Sequence, residues 1–450
     1  MVSLKFFITL VLRRRKHRGK HLSIYLDYEE TIMHSMTNRS HHLLFLAIGA
    51  IVLIGFGRPN VAHASWSSEG HAAGAQCGSS GVNDNAVVVG NCTPANATGP
   101  LIAWVAPNGV EELLAPLASG QSCSAAGVTD GNVVIGSCLD ANNASFAVTW
   151  PVSSPNSITV LQSLPGLLGL GADVSTGATS FDQNGVIGGE SVSATGNSTA
   201  VIWLNGSSTA VAVSNRNDNC GIADINNSNV NGAPSVALDC PNASGTTTAY
   251  IAQVTGGLLG TGLLGAYAKT PLPVPSGSSN CVVVAVNDNV QALGTCYFPG
   301  GSPQAAFWPS VSSAPILLSG GGLPDGTRTA GAFLNNNDDV VVQYQDTSGK
   351  TQSAFWDTNA ALLYLILPVS GGTRTAATGL ADNGTVILNS EDGNQQVQGT
   401  KWTVGSGTVA YGDYGGGLES VTTSISQSGN YTAGDGEGSA ENENALVTSN

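Results

Sequence analysis

The chain has 450 residues and a formal net charge of −15, and only 10% of its residues are charged. This acidic balance argues against nucleic acid and anionic membrane surfaces as partners. With few charged side chains and 58 glycines, Ser, Thr, Asn and Gly must supply the solvated surface, which favours turns and short strands over helices. The regular spacing of Val, Ile, Leu and Trp argues against disorder.

The chain begins with a segment that we interpret as a leader. Residues 36–64 contain an apolar run, Leu43–Phe56, and a small-residue cleavage site, Ala62–Ala64, which predict a secretory signal peptide. The apolar run has 14 residues, fewer than the roughly 20 that cross a membrane as a helix. We therefore expect no transmembrane span, and we predict a bacterial protein secreted to the periplasm or the cell exterior.

Residues 1–35 precede the signal peptide and contain the basic run Arg13–Arg18. A signal peptide does not carry such a preface, so translation is expected to start at Met33 or Met36; the alternative is a long targeting extension. Without residues 1–64 the chain keeps six Lys and Arg and 27 Asp and Glu, a net charge of −21. Residues 65–450 are predicted to form one domain.

A hairpin pattern opens this domain and then recurs. Two β-branched runs flank Asp84-Asn85, and Asp, Asn and Gly tolerate the positive φ of a two-residue type I′ turn. Such a turn places Cys77 directly opposite Cys92, within reach of a disulfide. The same symmetry, with a longer loop in the third case, predicts the bridges Cys77–Cys92, Cys123–Cys138, Cys220–Cys240 and Cys281–Cys296. Each bridge should contribute roughly 3 kcal/mol; the alternative is free thiols in a cytosolic protein.

A second pattern follows the hairpins, a short apolar run that usually ends in Trp. The six copies end at Trp104, Trp150, Trp203, Trp308, Trp356 and Trp402. Neighbouring copies are 46 to 53 residues apart, except for one double interval in which Ala249–Ala252 takes the place of the Trp run. We predict that these Trp side chains form the core of a repeat.

The hairpin also recurs without cysteines, at 181–189, 334–342, 380–387 and 425–429, which brings the number of repeats to eight. Four short strands in about 46 residues are typical of a propeller blade. We therefore predict an all-β fold, a β-propeller of about eight four-stranded blades. Residues 65–70 are expected to complete the last blade and to close the ring by pairing with the C-terminal strand. A seven-bladed ring and a β-solenoid are the alternatives.

The repeats resemble the bacterial extracellular HAF repeats. The resemblance is carried by Asn83-Asp84, by Val88–Gly90, and by the Ala-Phe-Trp strands that end at Trp308 and Trp356. It extends over residues 65–450, although glutamine-containing pairs replace the histidine that gives the family its name. The resemblance implies an exported β-repeat protein and no defined activity.

Residues with catalytic or metal-binding chemistry are scarce. His71 is the one histidine after residue 64, so neither a Ser-His-Asp nor a Cys-His arrangement is expected within the repeats. The cysteines are assigned to bridges, which leaves no zinc site. Turns such as Asn335–Asp339 offer oxygen ligands without the spacing of a dedicated calcium loop. No cofactor is expected, with structural calcium as the alternative.

Three hypotheses for the function remain open. The first is a secreted binding module, expected to be a monomer, whose ligand is a glycan or a cell-surface protein. Its binding residues are unknown, and we expect them near the polar, adaptable loops that join the second and third strands. The second is a structural surface or matrix protein. The third is a polysaccharide hydrolase or lyase, which predicts three or more acidic or aromatic side chains converging at the ring axis.

Overall fold

The computed structural model describes residues 67–68, 76–94, 99–166, 171–227, 233–242, 245–255, 267–319, 323, 328–412, 419–437 and 443–450. The predicted leader, residues 1–35 and 36–64, and His71 lie outside these ranges. The described residues form strands, turns and one 3₁₀ turn at Pro107–Gly109. None of them belongs to a helix long and apolar enough to cross a membrane.

The strands form eight antiparallel four-stranded sheets, which we number as blades in chain order. The first strand of the chain, β1 Ser67–Ser68, belongs to blade 8. Blades 1 to 4 are β2 Gln76–Val82, β3 Val88–Thr93, β4 Ile102–Ala106, β5 Glu112–Leu113; β6 Cys123–Val128, β7 Val133–Leu139, β8 Ser145–Pro151, β9 Thr159–Val160; β10 Ser175–Phe181, β11 Ile187–Val192, β12 Ser198–Trp203, β13 Ala210–Ala212; and β14 Gly221–Ile225, β15 Val236–Pro241, β16 Thr247–Val254, β17 Tyr267–Pro271. Blades 5 to 8 are β18 Asn280–Val286, β19 Ala292–Tyr297, β20 Gln304–Trp308, β21 Ile316–Leu317; β22 Thr329–Leu334, β23 Asp339–Gln345, β24 Thr351–Asp357, β25 Leu362–Ile366; β26 Thr375–Leu380, β27 Val386–Glu391, β28 Val397–Thr403, β29 Gly407–Ala410; and β30 Ser420–Ile425, β31 Tyr431–Glu437, β32 Glu443–Ser449 with β1.

The blades form a closed ring. First strands of neighbouring blades contact each other around the axis, and at the boundary between blades 2 and 3 the contacts are those of β10 with β7 and β8. The series closes where β30 of blade 8 contacts β2 of blade 1. In blade 8, β1 pairs with β32, so that Ser67 lies opposite Val447 and Ser68 opposite Leu446. The predicted propeller of eight four-stranded blades, closed by pairing of the N- and C-terminal strands, is confirmed. Because β1 pairs with β32, that strand is not left as an open edge.

The first hairpins of blades 1, 2 and 5, for which a two-residue turn was predicted, differ in their turns from the prediction. In blade 1, Ser80 is a bulge residue, and Gly81 lies opposite Val89, one step out of the register that the cysteines follow. The turn has three central residues, because the Ala86 N–H donates to the Asn83 carbonyl and Ala86 has a φ of 58°. The predicted two-residue turn was therefore wrong. The extra turn residue and the bulge offset each other, so the cysteines still lie opposite each other.

Four disulfides lie in blades 1, 2, 4 and 5. They join the pairs that hairpin symmetry predicted: Cys77–Cys92, Cys123–Cys138, Cys220–Cys240 and Cys281–Cys296. All eight cysteines are at most 5% exposed. Each bridge links the first two strands of its blade at the end far from their turn. Such bridges are typical of proteins that fold in an oxidising compartment.

The blades without a disulfide carry a hydroxyl at the first cysteine position: Thr176, Thr329, Thr375 and Ser420. Each hydroxyl oxygen accepts a backbone N–H from the third strand of the preceding blade. The Ser353 N–H, for example, donates to Thr375 Oγ1 at 2.8 Å. This position therefore serves either a covalent link within a blade or a hydrogen bond between blades.

The apolar core lies between neighbouring blades, and the predicted core tryptophans are on the third strands. Trp104, Trp150, Trp203 and Trp308 are fully buried, Trp402 is 5% exposed, and Trp356 is partly buried. Trp104 lies opposite Gly90, whereas Trp150 lies opposite Val134, two positions closer to the turn. The regular spacing predicted that Trp104 occupies the same strand position as the other tryptophans, and this was wrong. Gly90 leaves room for the indole, because a Cβ there would lie 2.4 Å from the ring.

Candidate functional site

One polar side chain on the second strand of each blade forms what we call the polar ring. Its members are Asn91, Ser137, Glu190, Asp239, Thr295, Gln343, Asn389 and Asp435. Six of them bond to the first strand of the next blade. Asn91 accepts the Ala125 N–H at 2.7 Å and donates to the Ala125 carbonyl at 2.9 Å, and Asp435 accepts the Ser79 N–H at 2.6 Å. The ring thus satisfies backbone groups at the inner edge of the blades.

Two aspartates near the axis have strongly perturbed acidity. Asp239 Oδ1 accepts the Val283 N–H at 3.1 Å, and Asp224 accepts the Val286 N–H at 3.0 Å and the Ser180 hydroxyl at 3.1 Å. Burial raises the pKa of Asp239 to about 7 and that of Asp224 to about 6, although the backbone N–H donors stabilise the ionised forms. Both carboxylates hold neighbouring blades together.

These contacts bear on the hydrolase or lyase hypothesis, which predicted a converging cluster at the axis. Asp224 and Asp239 accept backbone N–H groups of blade 5, and Asp435 accepts one of blade 1. In the described ranges, no three His, Cys, Asp or Glu side chains form a group that could hold a metal ion. No observation in this part of the chain favours that hypothesis over the other two.

The Asp and Asn residues of the first hairpin turns also join the blades. The Asp84 N–H donates to Asp130 Oδ1, the Asp130 N–H donates to Gln183 Oε1, and the Ser428 N–H donates to Asp84 Oδ1, each at 2.9 to 3.0 Å. Equivalent bonds connect blades 5, 6 and 7. Asn336 Oδ1, which belongs to the turn considered for calcium, therefore accepts a hydrogen bond from the neighbouring turn. Structural calcium stays a prediction.

The first hairpin turn of blade 3 begins with an aspartate, where four other blades have an asparagine. The first turn residue of four other blades is an asparagine that donates its Nδ2 to a carbonyl in the next turn: Asn83, Asn226, Asn287 and Asn335. Blade 3 has Asp182 there, and its Oδ1 accepts the Val186 N–H at 2.7 Å. Its Oδ2 is buried without a hydrogen-bond partner among the described residues. Burial raises the pKa of Asp182 to about 6.

Two surface grooves lie between blades, one on each face of the ring. The first, the blade-6/7 groove, has a volume of about 410 Å³ and lies on the face that carries the loops between second and third strands. It is lined by Tyr344, Asp346, Lys350 and Gln352 of blade 6, by Ile366–Pro368 at the end of that blade, and by Thr373 just before blade 7. The volume is within the range of small-ligand sites, roughly 300 to 1,000 Å³.

The polar groups of the blade-6/7 groove are held in place. Gln352 Nε2 donates to the Thr373 carbonyl at 2.7 Å and to Asp346 Oδ2 at 3.2 Å. The Ser348 hydroxyl and neighbouring backbone N–H groups donate to Asp346 and lower its pKa to about 2. Leu367 is 68% exposed beside them. The groove therefore combines an ionised carboxylate, an amide and an ammonium group with an exposed apolar wall.

The second groove, the blade-7/8 groove, lies on the face that carries the first hairpin turns. It has a volume of about 350 Å³, and its lining includes Asn383, Lys401, Thr403, Asn430 and Asn450. The Lys401 ammonium lies 5.9 Å from the centroid of the Tyr411 ring. This groove has a mostly polar lining without an exposed apolar wall.

The loops between second and third strands are polar, as predicted, and an aspartate closes three of them, in blades 2, 6 and 7. Asp140 Oδ1 accepts the N–H groups of Asn142 and Ala144, and Asp346 and Asp392 do the same in their own loops. The prediction of adaptable loops was wrong here, because an aspartate at the first loop position closes an Asx turn.

Comparison with known proteins adds no family. No family model matches the chain, and no curated protein matches it. The propeller domain of the trilobed protease from Pyrococcus furiosus is 9% identical, with 77% of this chain and 98% of that chain covered and a TM-score of 0.47. A puromycin-hydrolysing peptidase of Mycobacterium tuberculosis is 12% identical, with 87% and 55% covered and a TM-score of 0.45. A lectin from Burkholderia pseudomallei is 12% identical, with 74% and 96% covered and a TM-score of 0.36. The resemblance to HAF repeats stays a prediction.

The sequence predicted no binding residue, and it gave no direct sign of either groove. Each groove combines residues from two repeats, and their proximity depends on how the blades stack. The available signal was the scarcity of cations: Lys350 and Lys401 are two of only six Lys and Arg after residue 64, and each of them lines a groove.

Proposed function

We propose that the protein is an exported binding module that recognises a saccharide in the blade-6/7 groove. The observation that carries this proposal is the pairing of an exposed apolar wall with fixed donors and acceptors in one groove of about 410 Å³. A pyranose ring has the matching surfaces, an apolar C–H face and a rim of hydroxyl groups that donate and accept. Ligand sites in proteins commonly combine apolar walls with a few placed polar groups.

Preorganisation supports the proposal. Asp346 and Gln352 are already hydrogen-bonded to each other and to the backbone, so little side-chain entropy is lost when a ligand binds. The four disulfides support export, because such bridges persist outside the reducing cytosol. The ligand would meet the protein outside the cell or in the periplasm, as a free glycan or one on a cell surface.

The test is a glycan array with oxidised protein comprising residues 65–450. Gln352→Ala removes a donor, and Leu367→Ala removes the apolar wall; both should weaken binding to the glycans that are hit about tenfold or more. Lys401→Met, in the other groove, is the matched control and should leave these hits unchanged. Circular dichroism confirms that each variant is folded. An array without hits, or hits that survive both substitutions, would refute the proposal.

A second candidate, a durable surface or matrix protein, is favoured by ion pairs that hold two of the six cationic side chains after residue 64. Arg216 donates to the buried Asp173 at 2.7 Å and to the Pro165 carbonyl, and Lys269 pairs with Asp218 at 2.8 Å. Trypsin cleaves after Lys and Arg, so the oxidised protein should resist it until the disulfides are reduced. Rapid digestion of the oxidised protein would contradict this candidate.

A further inference from the structure

The Cys220–Cys240 bridge of blade 4 has a cation beside its sulfurs. The Lys269 ammonium donates to Cys220 Sγ at 3.6 Å and to Cys240 Sγ at 3.8 Å. The chain has six Lys and Arg after residue 64, and in the part of the chain that the structure describes Lys269 is the one that bonds to a disulfide. Asp218 Oδ2 holds the ammonium there at 2.8 Å, and the centroid of the Tyr250 ring is 5.3 Å from it.

The Cys77–Cys92 bridge of blade 1 matches the blade-4 bridge in burial. In each bridge the first cysteine is 0% exposed and the second is 5% exposed. Each bridge also joins the first two strands of its blade at the end far from their turn. The blade-4 bridge closes a longer loop, with a sequence separation of 20 against 15, and it has the ammonium.

A neighbouring ammonium changes how readily a disulfide is reduced. In thiol–disulfide exchange a thiolate attacks one sulfur, and the other sulfur leaves as a thiolate. A lysine beside a cysteine stabilises the thiolate and lowers the pKa of the thiol. Cys240 is the more exposed partner in blade 4, so attack at Cys240 expels Cys220 as a thiolate 3.6 Å from the Lys269 ammonium.

We propose that Cys220–Cys240 is a redox-sensitive clasp, which a dithiol reductant opens before the other three bridges. A thiolate of the reductant attacks Cys240 Sγ, the Sγ–Sγ bond breaks, and a mixed disulfide forms while Cys220 leaves as a thiolate beside Lys269. The second thiol of the reductant then attacks the reductant's own sulfur in the mixed disulfide and releases Cys240. The reductant leaves as a disulfide, so it supplies two electrons, and its two thiol protons pass to the cysteines or to solvent.

Reduction of this bridge acts on a contact between blades. Asp239 precedes Cys240 in β15, and its Oδ1 accepts the Val283 N–H of blade 5 at 3.1 Å. Opening the clasp frees β14 and β15 beside this contact, so blade 4 should loosen against blade 5. Blade 4 lies outside the blade-6/7 groove, so the clasp does not depend on saccharide binding.

The experiment follows each bridge of oxidised residues 65–450 during limited reduction with dithiothreitol. Samples are alkylated with iodoacetamide and digested with pepsin, and mass spectrometry quantifies the free thiol at each cysteine. In the wild type, Cys220–Cys240 should be reduced about tenfold faster than Cys77–Cys92. Hydrogen exchange of the partly reduced protein should increase in β14 and β15 and stay unchanged in blades 6 to 8.

Lys269→Met removes the charge, leaves the loop length unchanged, and should slow reduction of Cys220–Cys240 about tenfold, while the other three bridges keep their rates. A purely structural role of Lys269 predicts the opposite, because loss of the ion pair with Asp218 would loosen blade 4 and speed reduction. Lys401→Met changes the net charge equally in a blade without a disulfide, outside the blade-6/7 groove, and should leave all four rates unchanged. Thermal unfolding verifies that both variants are folded.

Three results would overturn the clasp. The first is a wild type in which another bridge is reduced first, or in which all four resist dithiothreitol equally. The second is a Lys269→Met variant whose Cys220–Cys240 bridge is reduced as fast as in the wild type or faster. The third is hydrogen exchange in blade 4 that reduction leaves unchanged.

Discussion

Replacing Asp182 by Asn should stabilise the propeller, and only above the pH at which Asp182 ionises. Asparagine in the same turn position of blade 1, Asn83, donates its Nδ2 to the Thr129 carbonyl of the next blade at 2.8 Å. Protonated Asp182 can donate in the same direction, whereas ionised Asp182 leaves its Oδ2 buried without a hydrogen-bond partner in the part of the chain that the structure describes. Both side chains are 1% exposed, so they occupy comparable environments.

The size of the expected stabilisation follows from the pKa of Asp182. The folded-state pKa of Asp182, about 6, lies above its ordinary value of 3.8, because burial and the charge of Asp288 disfavour ionisation. The folded state therefore binds this proton more tightly than the unfolded state. The associated stability is complete below about pH 4 and is lost as the pH rises through 6. A pKa raised from 3.8 to about 6 corresponds to about 3 kcal/mol.

Thermal unfolding at two pH values measures the effect. For roughly 380 residues, 3 kcal/mol corresponds to a shift of about 4 °C in the midpoint. Asp182→Asn should raise the midpoint by about that amount at pH 8 and by only about 1 °C at pH 4.5, where folded Asp182 is protonated. The reciprocal variant, Asn83→Asp, should lower the midpoint at pH 8 more than at pH 4.5. A shift for Asp182→Asn that is equal at both pH values, or negative at pH 8, would refute the reasoning.

Three further predictions concern the contacts that hold the ring. Asp84→Ala removes the acceptor that joins blade 8 to blade 1 and should lower the unfolding free energy in urea by about 2 kcal/mol, whereas Asp84→Asn keeps an acceptor and should lose less. Gly90→Ala places a Cβ 2.0 Å from a first-strand carbonyl oxygen and should lose about 1 to 3 kcal/mol; Gly171→Ala meets nothing within 4 Å and should leave the thermal midpoint unchanged. The double variant Cys123→Thr, Cys138→Ser copies a disulfide-free blade and should lose about 2 kcal/mol of unfolding free energy. The bridge contributes roughly 3 kcal/mol, and the new hydroxyl hydrogen bond restores about 1 kcal/mol. A double variant that loses stability while reduction of the three other disulfides causes no further loss would contradict the prediction.

The fold could be predicted because the residues that define each repeat lie close together in the sequence. Opposed cysteines such as Cys77 and Cys92, and the turn residues between them, lie within one hairpin, where register relates sequence to distance directly. The turn itself was predicted wrongly, and the cysteine pairing survived because the bulge at Ser80 restores the register that the longer turn shifts. Trp104 shows the limit of spacing: a regular interval of 46 residues does not fix which position of a strand a side chain occupies.

The contacts between blades could not be predicted in the same way. Asn91 and Asp435 look like ordinary polar residues on the second strand, and their partners belong to other repeats, in the case of Asp435 at the opposite end of the chain. Nothing in a single repeat indicates which backbone group faces such a side chain. The buried Asp182 Oδ2 and the two grooves are products of the same stacking, so they became visible only in the folded ring.

The disulfides and the two grooves lie in different blades of this molecule. The bridges lie in blades 1, 2, 4 and 5, whereas both grooves lie among blades 6, 7 and 8. In the bridge-free blades 6 to 8, the hydroxyls of Thr329, Thr375 and Ser420 bond to the preceding blade, and this bonding fixes one blade wall against the next. A groove between blades depends on that relative position, which a bridge within a blade does not set. The hydroxyl positions therefore act on the shape of the grooves, and the cysteines act on the cohesion of single blades.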